Sequence, residues 1–255
     1  MTHGQEETSV CQPCSFASRA ITEAPFLSDD PLADPVRHAL NSVHSHLAIG
    51  QAPARRYPKE VAPFAVIDDT SEPTLANLRA LLSPGEQVYI FNEPPGPMNG
   101  LTVGPPLDTF QMVGPEPLAS DVPEPSIRAM LMTSEDGAEM FELISLVFPG
   151  FYRPRTYEMG TYYGIRMGGQ LVAMAGERLC MTGYREISGV CTHPSHTGKG
   201  YARLLMNGLM RDHAAAGVKS FLHVGQANTR AASIYERMGF RVVSSIALWP
   251  VSFRS

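Results

Sequence analysis

The sequence predicts an α/β (α+β) protein built as two unequal units, on three observations. Strand-like and helix-like segments alternate along its 255 residues, a proline-dense stretch separates an early set from a later one, and 44% hydrophobic content suits a packed core. A formal charge of -5 argues against a broad electrostatic grip on nucleic acid or an anionic membrane, while leaving room for a local basic pocket. No apolar run approaches the ~20 residues needed to span a bilayer, and the opening MTHGQEETSV lacks a charged-then-apolar leader pattern, so a cytoplasmic protein is expected.

Residues 1–34 are rich in Ser, Pro and acids without periodicity and read as a flexible arm. Cys11 and Cys14 form a CxxC there, but neither a second CxxC nor a nearby His pair supplies the other ligands of a structural zinc, and no metal is expected. A small α/β unit follows over 35–116. Val36, Leu40, Val43 and Leu47 recur at spacings of three and four, which predicts an amphipathic helix ending at Gly50. FAVID reads as a strand, SEPTLANLRALLSPG as a capped helix and QVYIFN as another strand. LTVG and FQMVG are candidates for this unit's last strands. They fall where nine of the 22 prolines lie, between Pro94 and Pro125, and a residue without an N–H does not suit a continuous central sheet. Residues 117–126 read as the linker.

The second unit spans 127–255. IRAMLMT is strand-like, SEDGAEMFELISLVFPG is a helix with Ser134 as N-cap, and TYYGIRMGGQLVAMAGERL is a strand pair turning at Gly168 and Gly169. GYREISGVCTHP is a further strand. From Tyr201, the residues Ala202, Leu205, Met206 and Leu209 mark one buried helix face, with Gly217 as a stop. KSFLHVG is then a strand, NTRAASIYERMG a short helix and FRVVSSIALWPVSF the closing strands.

Between strand and helix stands HPSHTGKGYARLL. A Walker-type phosphate loop would need a glycine at His193 and a Ser or Thr at Gly200, and a dinucleotide fingerprint would put its third glycine at Arg203. Both fail. The underlying physics survives, because a small-residue loop entering a helix presents unpaired N–H groups where the helix dipole favours an anion.

Taken in order, three signals resemble the GNAT superfamily of acyl-CoA-dependent N-acyltransferases over roughly 127–253. The family's pyrophosphate motif is Arg or Gln, two residues, Gly, one residue, then Gly or Ala; Thr197, Gly200 and Ala202 occupy those slots, with Thr197 a departure. NTRAASIYERMGF is similar to the family's helix, with Asn228, Ala231, Tyr235, Gly239 and Phe240 in register. Glu186 lies four residues before Val190 in the strand leading to the loop. RPRTYEMGTYYGIR before EISGVCTHP further resembles the glycine N-acyltransferase branch, whose C-terminal domain follows a degenerate N-terminal half.

The resemblance implies a mixed, mostly antiparallel sheet flanked by helices, and acetyl-CoA as co-substrate. It places the pyrophosphate on main-chain donors of His196, Thr197, Gly198, Lys199, Gly200, Tyr201 and Ala202. Pantetheine amides would meet Val190, Cys191 and Thr192 where this strand splays from KSFLHVG, and Asn228 and Ala231 would complete the site. Glu186, on a strand face shared with Ser188 and Val190, is the implied base, with a pKa raised by partial burial. Tyr235 is the implied acid toward the CoA sulfur. Cys191 reads as a structural thiol rather than a nucleophile, and His193 and His223 as satisfied histidines. Lys199 either assists a phosphate or faces solvent. The acceptor would be an amine of a small molecule, amino acid or peptide; a non-catalytic acyl-CoA-binding module and a homodimer stay open.

Overall fold

The computed structural model describes residues 29–115 and 129–254. Most of the expected arm, with Cys11 and Cys14, and the whole of the expected linker 117–126 lie outside the described residues. The first half contains α1 (Pro35–Leu40), β1 (Ile49–Gln51), β2 (Ala54–Arg56), β3 (Ala65–Ile67), α2 (Glu72–Ala80), β4 (Gln87–Phe91), β5 (Leu101–Val103) and β6 (Leu107–Val113). The second contains β7 (Met130–Leu131), α3 (Gly137–Val147), β8 (Tyr162–Met167), β9 (Gln170–Met181), β10 (Tyr184–Thr192), α4 (Tyr201–Ala215), β11 (Lys219–Gly225), α5 (Thr229–Arg237) and β12 (Arg241–Phe253).

Three local expectations are corrected. α1 ends at Leu40 rather than running to Gly50. Ser42 bonds back to the His38 carbonyl, and His44 is drawn inward to the Tyr57 hydroxyl and the Met159 carbonyl, so tertiary bonds outweigh helical periodicity. Thr133, not Ser134, is the cap: the Asp136 carboxylate returns to the Thr133 N–H at 2.8 Å, closing a capping box ahead of α3. The closing strands are one unbroken strand, β12.

β1, β2 and β3 form a small antiparallel sheet. The large sheet runs β4-β12-β6-β11-β10-β9-β8-β7, with β5 also on β12. Its β10–β11 pairing is parallel and its other strand pairings are antiparallel, so the mixed, mostly antiparallel sheet is observed. β6 lies inside this sheet, between β11 and β12. The proline-dense stretch thus does supply an interior strand. Pro105, Pro106 and Pro115 stand outside its seven residues, so proline removes no ladder N–H. β4, β5 and β6 all pair with second-half strands, so a single sheet runs across the two halves.

The sheet has two differently covered faces. On one, α4 sets Leu205, Met206 and Leu209 against Ile187, Leu222 and Val224. On the other, Val36 and Leu40 of α1, with Tyr57 and Phe64, pack on Leu179, Phe221, Ile246 and Leu248. Each such fully buried large side chain contributes about 1.5–3 kcal/mol relative to exposure.

Candidate active site

The sheet opens between β10 and β11. They pair only at Tyr184↔Lys219, Arg185↔Ser220 and Glu186↔Phe221. Beyond that point β11 continues against β6, while β10 continues against β9 through a register shift between Ser188 and Cys191. Gly189, at φ +61°, supplies the backbone freedom that this bulge needs. The bulge turns Val190 onto the α4 face and sends Cys191 into the core beneath α3. Glu186 and Val190 therefore do not share a face, because strict alternation fails where the strand carries an extra residue.

The loop from His193 to Gly200 leads from this opening into α4. His193 accepts the Ser195 N–H on Nδ1, and Thr197 donates to the Pro194 carbonyl at 3.1 Å, which shapes the turn locally. Gly198 (φ +77°) and Gly200 (φ +78°) are left-handed, and a Cβ at either would meet nothing within 4 Å. Their contribution is conformation and access. Among the described residues no side chain caps α4, which leaves its first amides open at the positive end of a 15-residue helix.

Together these elements enclose a cleft of about 450 Å³. Its lining includes Val190, Cys191 and Thr192 of β10; His196, Thr197, Gly198, Lys199, Gly200, Tyr201 and Ala202 of the loop and α4; and Asn228, Ala231 and Tyr235 of α5. Asn228 accepts the Ala231 N–H at 3.1 Å, capping α5 and fixing its approach to the cleft. Sequence reading missed Val147, Arg203, Met206, Arg230 and Ile234 in the same wall. Helical spacing could have found several of them: Arg203 is one turn beyond Gly200, and Arg230 and Ile234 are four apart on α5. Arg203, Arg230 and Lys199 give an acidic protein a basic cleft. Uncapped amides, small loop residues and these cations fit a phosphate-bearing carrier.

Tyr235 packs at a tilt against Phe240, and burial pushes its phenol up to about 12. Burial likewise raises the Cys191 thiol to about 12, far from the thiolate that a nucleophile needs at neutral pH. Glu186 stands apart. It is fully buried on the face opposite α4, outside the cleft lining. Its carboxylate accepts from Arg178 through Nε at 2.9 Å and Nη2 at 2.5 Å, from His223 Nδ1 at 2.8 Å and from the Leu179 N–H at 3.2 Å. Burial alone would raise its pKa, but the Arg178 charge and the bonds from His223 and Arg178 prevail and hold it near about 2. The expected upward shift is thus reversed. His223 has its other nitrogen on Gln111 at 3.1 Å, Gln111 accepts from Ser244, and it donates to the Leu32 carbonyl, so this histidine is satisfied on both sides.

The FR47-like protein family model matches residues 162–249. A structure from Novosphingobium aromaticivorans, described as a candidate acetyltransferase of the GNAT family, is 30% identical, with a TM-score of 0.78 over 89% of this chain and 100% of its own. A GCN5-related N-acetyltransferase from Kribbella flavida shares the fold at 17% identity, TM-score 0.56, over 86% of this chain and 93% of its own. A GCN5-related N-acetyltransferase-like protein from Streptococcus suis does so at 12% identity and TM-score 0.52, with the same coverages. No curated protein matches the sequence.

Proposed function

The chain belongs to the GNAT family of acetyltransferases, and on that premise we propose that it transfers an acetyl group from acetyl-CoA directly to an amine of a small molecule, amino acid or peptide. The observation that carries this reading is the wedge between β10 and β11 opening onto the uncapped start of α4. Bound acetyl-CoA would supply the activated acyl thioester. The loop 196–202 would hold its pyrophosphate on backbone amides, with Lys199, Arg203 and Arg230 neutralising phosphate charge. Val190, Cys191 and Thr192 would offer main-chain groups to the pantetheine arm.

Tyr235 would donate a hydrogen bond to the sulfur as negative charge develops there. With its phenol near about 12, complete proton transfer to a thiolate of pKa ~8.5 is uphill by about 5 kcal/mol, so stabilisation by a held proton is the favoured role. Glu186 is ill-suited to act as direct base. Moving a proton from an ammonium of pKa ~10 to a carboxylate near about 2 costs on the order of 11 kcal/mol. Its role is to position: it anchors Arg178 and His223 where β10 and β11 part.

Without a strong base, the acceptor's own ionisation governs the rate. At pH 7.4 an α-amino group of pKa ~7.9 is about one quarter neutral, whereas an alkyl amine of pKa ~10.4 is about one thousandth neutral. α-Amines are accordingly the preferred acceptors. The test is calorimetric binding of acetyl-CoA followed by CoA release with α-amino and ε-amino acceptors across pH. Release that tracks acceptor ionisation supports the reading. Binding without release for any amine would favour a non-catalytic acyl-CoA module, and no binding would overturn both.

A further inference from the structure

Two buried hydroxyls lie beside the wedge, and nothing in the proposed chemistry uses them. The phenolic oxygens of Tyr152 and Tyr162 are both buried and have no hydrogen-bond partner among the described residues. Tyr162 is 2% exposed and starts β8; Tyr152 belongs to the loop that follows α3. Their rings meet edge to face at 5.9 Å. Both converge on Gly189, where an added Cβ would lie 3.1 Å from Cε1 and 3.6 Å from the hydroxyl of Tyr162, and 3.7 Å from Cε2 of Tyr152. Gly189 immediately precedes Val190 and Cys191, which line the cleft. The two phenols therefore close on the bulge from which the cleft wall continues, behind the residues that line the cleft itself.

A buried hydroxyl left without a partner costs about 1–3 kcal/mol, so an acceptor oxygen that reached this bulge would recover that cost at two groups at once. The environment leaves both groups protonated, because burial dominates in raising each phenol's pKa. They are donors at neutral pH. Arg178 cannot fill their place, since its guanidinium is committed to Glu186 and lies over the rings of Phe64 and Phe151.

Resting on the acetyl-transfer reading, we infer that Tyr152 and Tyr162 form a subsite that donates hydrogen bonds to a carbonyl or carboxylate oxygen of a reactant at the inner end of the wedge. The oxygen belongs either to the acyl thioester or to the amine substrate. Both tyrosines touch the reactant directly, and Gly189 is the glycine that lets them approach.

The experiment uses the full chain with Tyr152→Phe, Tyr162→Phe and the double variant. Deleting a hydroxyl that lacks a protein partner should leave the thermal midpoint unchanged or raise it. Affinities for acetyl-CoA and for S-ethyl-CoA, which has no acyl carbonyl, are then compared by calorimetry. If the oxygen is the acyl carbonyl, each variant loses about 3- to 10-fold of the preference for acetyl-CoA. If it belongs to the acceptor, that preference stays and KM for glycine or glycylglycine rises by a similar factor, while ethylamine is unaffected. A fall of several degrees in midpoint with unchanged ligand preferences would show the hydroxyls satisfied within the fold and overturn the inference. Failure of the wild type to bind either CoA compound would instead overturn the acetyl-transfer reading, and the subsite with it.

Discussion

On the α4 side of β10, the cleft is shaped by backbone: a bulge, two left-handed glycines and an uncapped helix start. On the other side, a few residues earlier, β10 buries charge: Glu186 beneath Arg178 and His223, covered by the aromatic rings of Phe64 and Phe151. The first arrangement depends on short local sequence. The second assembles residues far apart in the chain, and it holds only while every charge keeps its partner. Function concentrated on one side and stability on the other should respond to substitution differently.

Breaking the charged side should produce the largest effect. Arg178→Met leaves the Glu186 carboxylate buried without its main counter-ion, at an expected cost of about 3–5 kcal/mol in urea unfolding. Arg178→Met with Glu186→Leu should recover much of that loss, since the uncompensated charge disappears with the second change. A single substitution as mild as its double would show that the pair is not electrostatically coupled.

Acid should unmask the same side next. The folded pKa of Glu186 is depressed to about 2, so its stabilisation is full above its unfolded value and is lost as pH falls from about 4.5 through about 2. Burial also lowers His44 to about 4, outweighing its bond to the Met159 carbonyl, and this places an earlier loss between about pH 6.5 and 4 as the unfolded state takes up the proton. Each of these two losses is worth on the order of 3 kcal/mol. Unfolding free energy measured against pH should fall in two overlapping stages, and His44→Gln should flatten the upper stage alone. A profile with no decline between pH 6.5 and 4 would contradict a neutral, buried His44.

How much was legible beforehand follows the same division. Gly198, Gly200, Ala202, Asn228 and Tyr235 could be placed in order because the motifs that resemble the GNAT superfamily are short and contiguous, and the glycine loop and helix that carry them are local properties of sequence. The environment of Glu186 could not be read, because Arg178, His223 and Gln111 come from three other strands and only sheet order makes them neighbours. β6 was legible as a strand but not as an interior one, since its prolines mark strand ends and say nothing of its partners. The bulge at Gly189 was hidden for a related reason: a lone glycine in a strand permits a register shift without requiring one, and the shift decides which way Val190 faces.

On the cleft side, Tyr235→Phe should slow turnover by about 10- to 100-fold, as expected for losing a hydrogen bond to a charged atom, with little change in acetyl-CoA affinity. Equal losses in both would make Tyr235 a packing residue. The smallest effect should come from Gly200→Ala. The new methyl meets no neighbour within 4 Å, so its cost is the left-handed backbone alone, about 1–2 kcal/mol. Some of that strain will be relieved by distorting the start of α4, and acetyl-CoA affinity should drop less than 10-fold by calorimetry, with a small change in thermal midpoint. Gly189→Ala adds steric conflict with Tyr162 to the same backbone penalty and should therefore exceed it in both measurements. If the two alanine variants behaved alike, the approach of Tyr162 to the bulge would carry no energetic weight, and the two sides of β10 would be less distinct than their geometry indicates.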